Sequence, residues 1–395
     1  MRKKRGLIIG ASGDAIHMIE TAKKMGIYVL AMDGNPEAKG LSAADEKIVV
    51  DISDEEKVCK IVSDLDIDFT LPVPLGRYLA TMGAVNEIFH LPGIKKNPII
   101  YSVDKFSFHE KLREKQLRNI KCTLFNRHDQ RENLTNSSFP LMIKPRYGSG
   151  SKNIHWIETQ ENFLTVLDKE EMDQDEYIIE TAVNGQEYGV DGAVIHGETI
   201  VTLIRKKEVT PLPIRQAVAS FSINRATQAD LYQKVSDYLA KVSDALGYDN
   251  CLINADIIVK DNDIFLVEIA PRPAGHSLQD AFIPLSTGID LCKEYCHFLL
   301  GQEANFYCSS MKTLAIHFFN FENITISKVP AFQELSKSNK CHLLAWNCNI
   351  QEGAHMEKVV DGASIMGRGY FIVEGKDEND LNQQCEWILK QFNGA

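Results

Sequence analysis

The sequence lacks the signals of several large protein classes. Its nine cysteines show no Cys-x-x-Cys spacing, so neither a zinc site nor a disulfide framework is predicted, and reduced thiols are expected. No apolar run is long enough to span a bilayer, and the first one is interrupted at Gly10 and Gly13. A net charge of −11 argues against nucleic acid or an anionic membrane as the main partner. These absences leave a cytoplasmic enzyme of several domains as the expected class.

Several catalytic and nucleotide-binding motifs are missing as well. No Gly-x-x-x-x-Gly-Lys sequence is present, and no Ser-His-Asp or Cys-His order emerges, so a protein nucleophile is not expected. The start of the chain has the outline of a dinucleotide site, with a strand, the turn 10–13, a helix and a strand that ends at Asp33. The third glycine of that motif is absent. We therefore expect a Rossmann-like unit without a nucleotide of its own.

Two acidic residues on neighbouring apolar runs are the most informative feature that is present. The runs 252–259 and 263–270 predict two strands joined by a turn, which is a β-hairpin. Asp256 and Glu268 then lie on adjacent strands, where two carboxylates repel each other unless a cation lies between them. The pair predicts ligation of a hard metal ion, with Mg²⁺ as the expected ion. The alternative is that each acid simply ends a strand at the surface.

A lysine inside an apolar strand lies upstream of this hairpin. Lys144 follows the run 139–143 and precedes the turn 148–151, which has the sequence Gly-Ser-Gly-Ser. A buried ammonium is costly unless it meets an anion, and a glycine-rich turn lets backbone N–H groups approach phosphate oxygens. The alternative is a flexible hairpin with an exposed lysine. The order of strand lysine, glycine turn and carboxylate pair favours a nucleotide site.

In this order the motifs resemble those of the ATP-grasp superfamily, and specifically its carboxylate–amine ligases, over nearly the whole chain. The resemblance implies ATP and Mg²⁺ or Mn²⁺ as cofactors. It implies that Asp256 and Glu268 bind the metal, and that the turn 148–151 closes over the triphosphate. The implied nucleotide-binding residues are Lys105, Lys144, Gly148, Ser149, Gly150, Ser151, Glu180, Ala182, Val183 and Glu187. The implied catalytic residues are Lys144, Asn254 and Arg272.

One position departs from the family pattern. Many members have Glu-x-Asn-Pro-Arg at the second metal strand, whereas this chain has Ala270 in place of the asparagine. An alanine side chain has no ligand atom, so a second metal ion would have to recruit a water molecule there.

Candidate substrate anchors are less well defined. Arg77 lies where the carboxyl ends of parallel strands are expected to meet, and there it could hold a substrate carboxylate. Arg205 and Arg215 bound a segment that we expect to be a charged, proline-containing loop. Either arginine could grip substrate, although such a charge run is also typical of a solvated face. For His276, after the second metal strand, a structural role and a role as a base are both open.

The fold class implied is α/β, an ATP-grasp fold with an N-terminal Rossmann-like (pre-ATP-grasp) domain and a small C-terminal α+β domain. A helix over about 97–120 is expected to lead into the lid. The C-terminal part would cap the site or form a homodimer contact. The expected units are the Rossmann-like domain 1–100, the lid 101–181, the core 182–304 and the C-terminal domain 305–395.

The resemblance implies an ATP-dependent ligase that joins a small-molecule carboxylate to an amine through an acyl phosphate. ADP and phosphate would be released. One alternative is a carboxylase of the same superfamily that uses bicarbonate. The other is a non-catalytic nucleotide-binding regulator, which only Ala270 supports.

Overall fold

A computed structural model describes the chain apart from a few short segments. The described residues are 2–118, 120–126, 139–148, 150, 152–167, 175–212 and 214–393. Within these ranges no helix has both the length and the apolar character needed to cross a membrane.

The N-terminal unit is built on a parallel sheet with the strand order β3-β2-β1-β4. Its strands are β1 (Arg5–Ile9), β2 (Tyr28–Asp33), β3 (Glu46–Val49) and β4 (Phe69–Thr70), and its helices are α1 (Ile16–Lys24), α2 (Lys39–Ala43), α3 (Glu55–Val62) and α4 (Leu79–Ile88). Asp33 accepts hydrogen bonds from the backbone N–H groups of Ala11 (2.7 Å) and Asn35 (2.8 Å). The acid at the end of β2 is therefore part of the local turn, which favours a Rossmann-like unit without its own nucleotide.

Two helices and a second sheet form the lid. We expected one helix over 97–120, and this expectation is wrong, because α5 (Lys96–Val103) and α6 (Lys105–Glu114) are separate. Asp104 has an extended backbone, and its carboxylate caps α6 by accepting from two backbone N–H groups. The antiparallel sheet has the order β5-β8-β6-β7. The strands of this sheet are β5 (Cys122–Asn126), β6 (Leu141–Pro145), β7 (His155–Ile157) and β8 (Glu176–Thr181), and the lid also contains the helix α7 (Gln160–Leu167).

The largest sheet has the antiparallel order β13-β12-β9-β10-β11-β14-β18-β16. It continues without a break from the expected core into the expected C-terminal domain, so the boundary at residue 304 divides one sheet. Its strands are β9 (Gln186–Ile195), β10 (Glu198–Val209), β11 (Ala217–Ser222), β12 (Cys251–Lys260), β13 (Asp263–Ala270), β14 (Leu314–Phe318), β16 (Leu343–Cys348) and β18 (Gly369–Glu374). A separate pair is formed by β15 (Ile324–Thr325) and β17 (His355–Met356).

Helices cover the large sheet on both faces. They are α8 (Ala229–Leu246), α9 (Ile283–Thr287), α10 (Leu291–Leu299), α11 (Phe332–Ser336), α12 (Gly362–Met366) and α13 (Glu378–Lys390). On one face, α8 packs on β9, β10 and β12 through apolar residues such as Val235 and Leu239. On the same face, α13 packs on β11, β14 and β18 through Leu381 and Ile388. The opposite face carries polar side chains on β9, β12 and β13.

The predicted metal hairpin is present in the predicted register. Asp256 on β12 lies opposite Glu268 on β13. Asp261 and Asn262 form the connecting turn with φ values of 50° and 68°, a conformation that suits a two-residue hairpin turn.

The prediction of a loop between Arg205 and Arg215 is wrong for the first half of this segment. β10 continues to Val209, and Arg205, Lys206 and Lys207 pair in register with β11. Consecutive side chains of a strand point to opposite faces, and each of these three cations meets a carboxylate on its own face. A charge run can therefore be a strand when both faces supply counter-ions.

Candidate active site

The carboxylates of Asp256 and Glu268 lie on adjacent strands of the polar face. Glu268 is exposed, whereas Asp256 is partly buried in the middle of β12 and does not end a strand. Lys207 Nζ lies 2.6 Å from Asp256 Oδ1. Burial alone would raise the pKa of Asp256, but Lys207 and Arg205 hold that pKa below its usual value. The pair offers two carboxylate ligands of the kind that Mg²⁺ prefers.

A buried acid fixes the predicted catalytic residue Asn254. Asn254 Nδ2 donates to Asp191 Oδ1 (2.7 Å), and Arg205 Nε donates to Asp191 Oδ2 (2.7 Å). Asp191 is fully buried, and sequence reasoning missed it. Gly189 lies between Arg205 and Asp256 in the sheet, and a Cβ there would collide with the guanidinium. These contacts favour a positioning role for Arg205 over the predicted contact with substrate.

Lys144 is buried on β6, and its ammonium forms an ion pair with Glu180 on β8. His109 Nε2 lies 2.7 Å from the other carboxylate oxygen of Glu180. Arg118 donates through Nε to His109 Nδ1 (3.0 Å), and it also donates to the backbone carbonyl of Leu266 on β13. An exposed lysine on a flexible hairpin is thereby excluded. His109 and Arg118 complete this cluster, and neither was predicted from the sequence.

The charges of this cluster depend on one another. Burial alone would raise the pKa of Glu180, but Lys144, His109 and Arg118 hold it well below its usual range. Burial lowers the pKa of His109, although the carboxylate of Glu180 opposes that shift. Because Arg118 donates to Nδ1, the histidine proton lies on Nε2, where it faces Glu180. The cluster fixes the strand lysine relative to the metal hairpin.

The predicted glycine turn contacts Lys105, which is one of the implied nucleotide-binding residues. Lys105 Nζ donates to the carbonyl oxygen of Gly148 (2.9 Å), and the Lys105 backbone N–H donates to the carbonyl of Arg146 (3.1 Å). Arg146 in turn binds the carboxylate of Asp104 through two nitrogen atoms, at 2.8 and 2.5 Å. Gly148 and Gly150 have φ values of 150° and 72°, which favour glycine. Two predicted residues lie outside the described part of the chain, namely Ser149 and Ser151.

β8 leads to Ala182 and Val183, two of the implied nucleotide-binding residues, and then to Glu187 at the start of β9. The N–H group of Ala182 donates to the carbonyl of Pro140 (3.0 Å), so Ala182 has only its carbonyl to offer a nucleotide, and Val183 follows it. Arg215 donates to Glu187 Oε1 from Nε (2.8 Å) and from Nη2 (2.5 Å). Glu187, an implied nucleotide-binding residue, and Arg215, a candidate substrate anchor, thus form one ion pair.

The loop after β13 faces the N-terminal unit. A Cβ at Gly275 would lie 3.5 Å from Asp14 Oδ2. Burial lowers the pKa of Arg272, with Glu268 as the main opposing charge. Burial also lowers the pKa of His276, and there Asp14 opposes the shift. The predicted residues Arg272 and His276 therefore share one electrostatic environment with Asp14, which the sequence did not single out.

Arg77 is not part of this arrangement. Its side chain is exposed and donates to the hydroxyl of Tyr78 at 3.1 Å. Across the described residues, no hydrogen bond or ion pair joins Arg77 to the other predicted site residues. Its role as a substrate anchor stays a prediction.

The donor set fits a divalent ion with a polyphosphate. Burial lowers the pKa of Lys105, while the carboxylate of Glu268 opposes that shift, so this lysine and the metal pair influence each other. Mg²⁺ in nucleotide sites is commonly held by one or two carboxylates together with phosphate and water. In the described ranges, one group of three metal-type ligands lies elsewhere and consists of His17, Asp290 and Cys292. Its members already contact protein partners, since His17 Nε2 lies 3.0 Å from Asp290 Oδ2 and Cys292 donates to Gln279.

Comparison with known proteins agrees with this geometry. Residues 137–280 match the ATP-grasp domain family, and this range includes Lys144 and both of the carboxylates that are predicted to bind metal. The formate-dependent phosphoribosylglycinamide formyltransferase of Prochlorococcus marinus is 27% identical over 168 residues, which cover 41% of this chain and 42% of that protein. The D-alanine–D-alanine ligase of Campylobacter jejuni is 32% identical over 145 residues, which cover 34% and 41%. The chain thus spans less than half the length of these curated relatives.

Solved structures extend the likeness to the whole fold. Phosphoribosylglycinamide synthetase from Anaerococcus prevotii has a TM-score of 0.73 at 20% identity, covering 98% of both chains. The L-amino acid ligase from Bacillus licheniformis has a TM-score of 0.77 at 16% identity, covering 100% of this chain and 98% of that one. The architecture is the ATP-grasp fold, as predicted. Within this fold, residues 137–280 are the part of the chain that matches the ATP-grasp domain family.

Proposed function

We propose that this protein is an ATP-dependent carboxylate–amine ligase that forms an amide or peptide bond and releases ADP and phosphate. The observation that carries the proposal is the pairing of Asp256 with Glu268, in the same electrostatic environment as Lys105 and Arg272. Two acids for a divalent ion beside cations for phosphate oxygens are what phosphoryl transfer requires. The relatives named above act on small molecules, as their names state, and the proposal extends that class to this chain.

Nucleotide binding would use the two sides of the lid. Lys144 and Lys105 supply positive charge to the phosphates, and the turn that begins at Gly148 supplies backbone N–H groups. Lys144 needs no rearrangement to do so, since Glu180 already fixes its ammonium. Glu187 would accept hydrogen bonds from the ribose hydroxyls. Because Arg215 already donates to this carboxylate, Arg215 would have to share it with the ribose or move away from it.

Asp256 and Glu268 would hold Mg²⁺, or Mn²⁺, whose bound form supplies positive charge at the transferring phosphoryl group. Arg272 would spread the charge that develops on the oxygens of that group. Asp191 orients the amide of Asn254. The amide could therefore point toward the transferring phosphoryl group while it keeps its hydrogen bond to Asp191. Lys207 holds the Asp256 carboxylate from the side opposite Glu268 in the strand order. At Ala270 no protein ligand is available, and water would complete the coordination.

The carboxylate substrate would attack the terminal phosphorus of ATP and become an acyl phosphate, with ADP as the leaving group. The amine would then displace phosphate and form the amide. No protein nucleophile enters this sequence, in agreement with the missing Ser-His-Asp and Cys-His motifs. Arg215 and His276 stay predicted substrate contacts, and a homodimer and a cytoplasmic location stay predictions as well.

The test is an assay of ADP and phosphate release over an array of carboxylates and amines with Mg²⁺. One ADP and one phosphate per amide is the expected result. Release of AMP and pyrophosphate would contradict the proposal. ATP hydrolysis that requires bicarbonate would favour the carboxylase. This alternative is included because N5-carboxyaminoimidazole ribonucleotide synthetase from Thermotoga maritima is one of the structural neighbours, with a TM-score of 0.69 at 18% identity. ATP binding without turnover on any pair would favour a regulator.

A further inference from the structure

Helix α1 of the N-terminal unit packs on helix α10 of the core. Met18 and Ile19 on α1 share one apolar cluster with Cys292 and Cys296 on α10, and all four side chains are buried. His17 lies at the edge of this contact, with a side chain that is 23% exposed. It thus connects the polar surface of α1 with the start of α10.

The residue that His17 meets is Asp290, which caps α10. Asp290 Oδ1 accepts hydrogen bonds from the backbone N–H groups of Cys292 (3.0 Å) and Lys293 (3.2 Å). Asp290 Oδ2 lies 3.0 Å from His17 Nε2. The cap therefore fixes the carboxylate on α10 and leaves one of its oxygens facing α1.

The contact between His17 and Asp290 is close, but it is not a hydrogen bond. His17 Nε2 is a buried atom, and among the described residues it has no hydrogen-bond partner. Since 3.0 Å is an ordinary hydrogen-bond distance, the axis of Nε2 is not directed at the carboxylate oxygen. Two ligands of one metal ion have this arrangement, because each directs its lone pair at the ion. A buried polar atom without a partner therefore indicates a ligand here.

Cys292 supplies a third donor atom at the same place. One ligand atom from each of His17, Asp290 and Cys292 lies within 4.8 Å of the other two. Cys292 is fully buried, whereas the side chains of His17 and Asp290 are 23% and 24% exposed. An ion can thus enter from solvent between the histidine and the carboxylate and meet the thiol beneath them. The thiol donates only a weak hydrogen bond, to Gln279 Oε1 at 3.3 Å.

The mixture of donor atoms selects the class of metal ion. Mg²⁺ prefers oxygen ligands, whereas imidazole and thiolate together suit Zn²⁺. Bonds from zinc to nitrogen and oxygen are about 2.0 Å long and bonds to sulfur about 2.3 Å, so the ligand atoms of a tetrahedral site lie roughly 3–4 Å apart. Small side-chain rotations would bring the three atoms to these separations. Three protein ligands and one water are a common zinc coordination.

We propose that His17, Asp290 and Cys292 form a zinc site that joins the N-terminal unit to the core. The protein ligands are His17 Nε2, Asp290 Oδ2 and the thiolate of Cys292, whose proton is released to solvent when the ion binds. Water is the fourth ligand. The site is separate from the proposed ligase chemistry. In the described ranges, no hydrogen bond or ion pair joins any of its three ligands to Asp256 or Glu268.

The test uses the full-length, reduced protein and Co²⁺, which binds the same ligand types as Zn²⁺ less tightly and reports a bound thiolate by its absorption. One Co²⁺ per chain with a thiolate-to-cobalt band is expected, and Zn²⁺ should abolish the band while Mg²⁺ should not. Cys292→Ser should remove the band. The matched control is Cys296→Ser, one turn later on the same helix and equally buried, which should keep it.

His17→Gln gives a second readout that leaves the buried thiol in place. Zinc affinity should fall by at least about tenfold with an unchanged circular dichroism spectrum, since losing even a residue that only supports a metal ligand costs that much. Zn²⁺ should raise the melting temperature of the wild type but not of this variant. A missing band, a band that persists in Cys292→Ser, or equal zinc affinity in His17→Gln would overturn the proposal. Because these titrations contain no ATP, their outcome does not depend on the ligase activity.

Discussion

Glu180 and Glu268 are both carboxylates of the candidate active site, but their surroundings differ. Glu180 is buried and contacts Lys144, His109 and Arg118. Glu268 is exposed, and its strand neighbour Asp256 is itself an acid. Glu180 therefore contributes to the fold and positions a lysine, whereas Glu268 is suited to bind a cation from solution. Mutations of the two residues should separate stability from activity.

The largest expected effect is the loss of activity in Glu268→Ala. Carboxylate- and amine-dependent ADP release should fall by at least about 10³-fold, because the transferring phosphoryl group loses its main metal anchor. The free energy of unfolding should stay within about 0.5 kcal/mol of the wild type, since the side chain is exposed. Asp263→Ala, at the exposed other end of β13, is the control. An equal loss in both variants would show that β13 is sensitive in general and would weaken the metal assignment.

Glu180→Gln should show the opposite pattern, with instability as its first consequence. The change leaves Lys144 and Arg118 buried without their anion. The free energy of unfolding should therefore fall by about 3–5 kcal/mol. Urea unfolding followed by circular dichroism measures it. Glu176→Gln on the same strand is the control, because that ion pair with Arg146 is partly exposed and should contribute about 1 kcal/mol or less. Similar losses in the two variants would contradict the central place of Glu180.

Lys144→Met should affect both function and stability, so its expected effects lie between those of Glu268→Ala and Glu180→Gln. The apolar stem is kept while a charged contact to phosphate is removed, so ATP affinity should fall by about 100-fold. Glu180 retains His109 and Arg118, so the loss of stability should be smaller than in Glu180→Gln. Calorimetric titration with ATP measures the first effect and urea unfolding the second. ATP binding equal to that of the wild type would remove this lysine from the nucleotide site.

The pH dependence of stability should depend on Glu180. Its pKa is lower in the folded protein than in the unfolded chain, where it is about 4.3. Its stabilising contribution is therefore complete above that value and is lost as the pH falls through the lower, folded value. The stability difference between the wild type and Glu180→Gln should be constant near neutrality and shrink in acid. A difference that grows on acidification would mean that Glu180 is protonated in the folded state.

The hairpin, its register and the strand lysine were predictable because they are local. Period-two apolar runs and a short turn determine which face Asp256 and Glu268 share. Asp191 and Arg118 were missed because the contacts that tie them to the predicted site residues Asn254 and Glu180 span 63 and 62 residues, and no local pattern reports such contacts. Lys207 was assigned to a loop because the counter-ions of the charge run come from other elements.

The smallest effect is expected at Ala270, which lies opposite Asn254 in the sheet. Ala270→Asn restores the amide found in many ATP-grasp proteins, and an amide oxygen is a suitable ligand for Mg²⁺. The Mg²⁺ concentration for half-maximal activity should therefore fall by up to about tenfold or stay equal. Ala270→Leu is the matched control, because the leucine side chain has the same number and branching of heavy atoms as asparagine but no ligand atom. If both variants lose stability to the same extent, the position is packed and lies outside the coordination sphere. If only the asparagine variant changes the Mg²⁺ dependence, residue 270 faces the metal, and water occupies that ligand position in the natural protein.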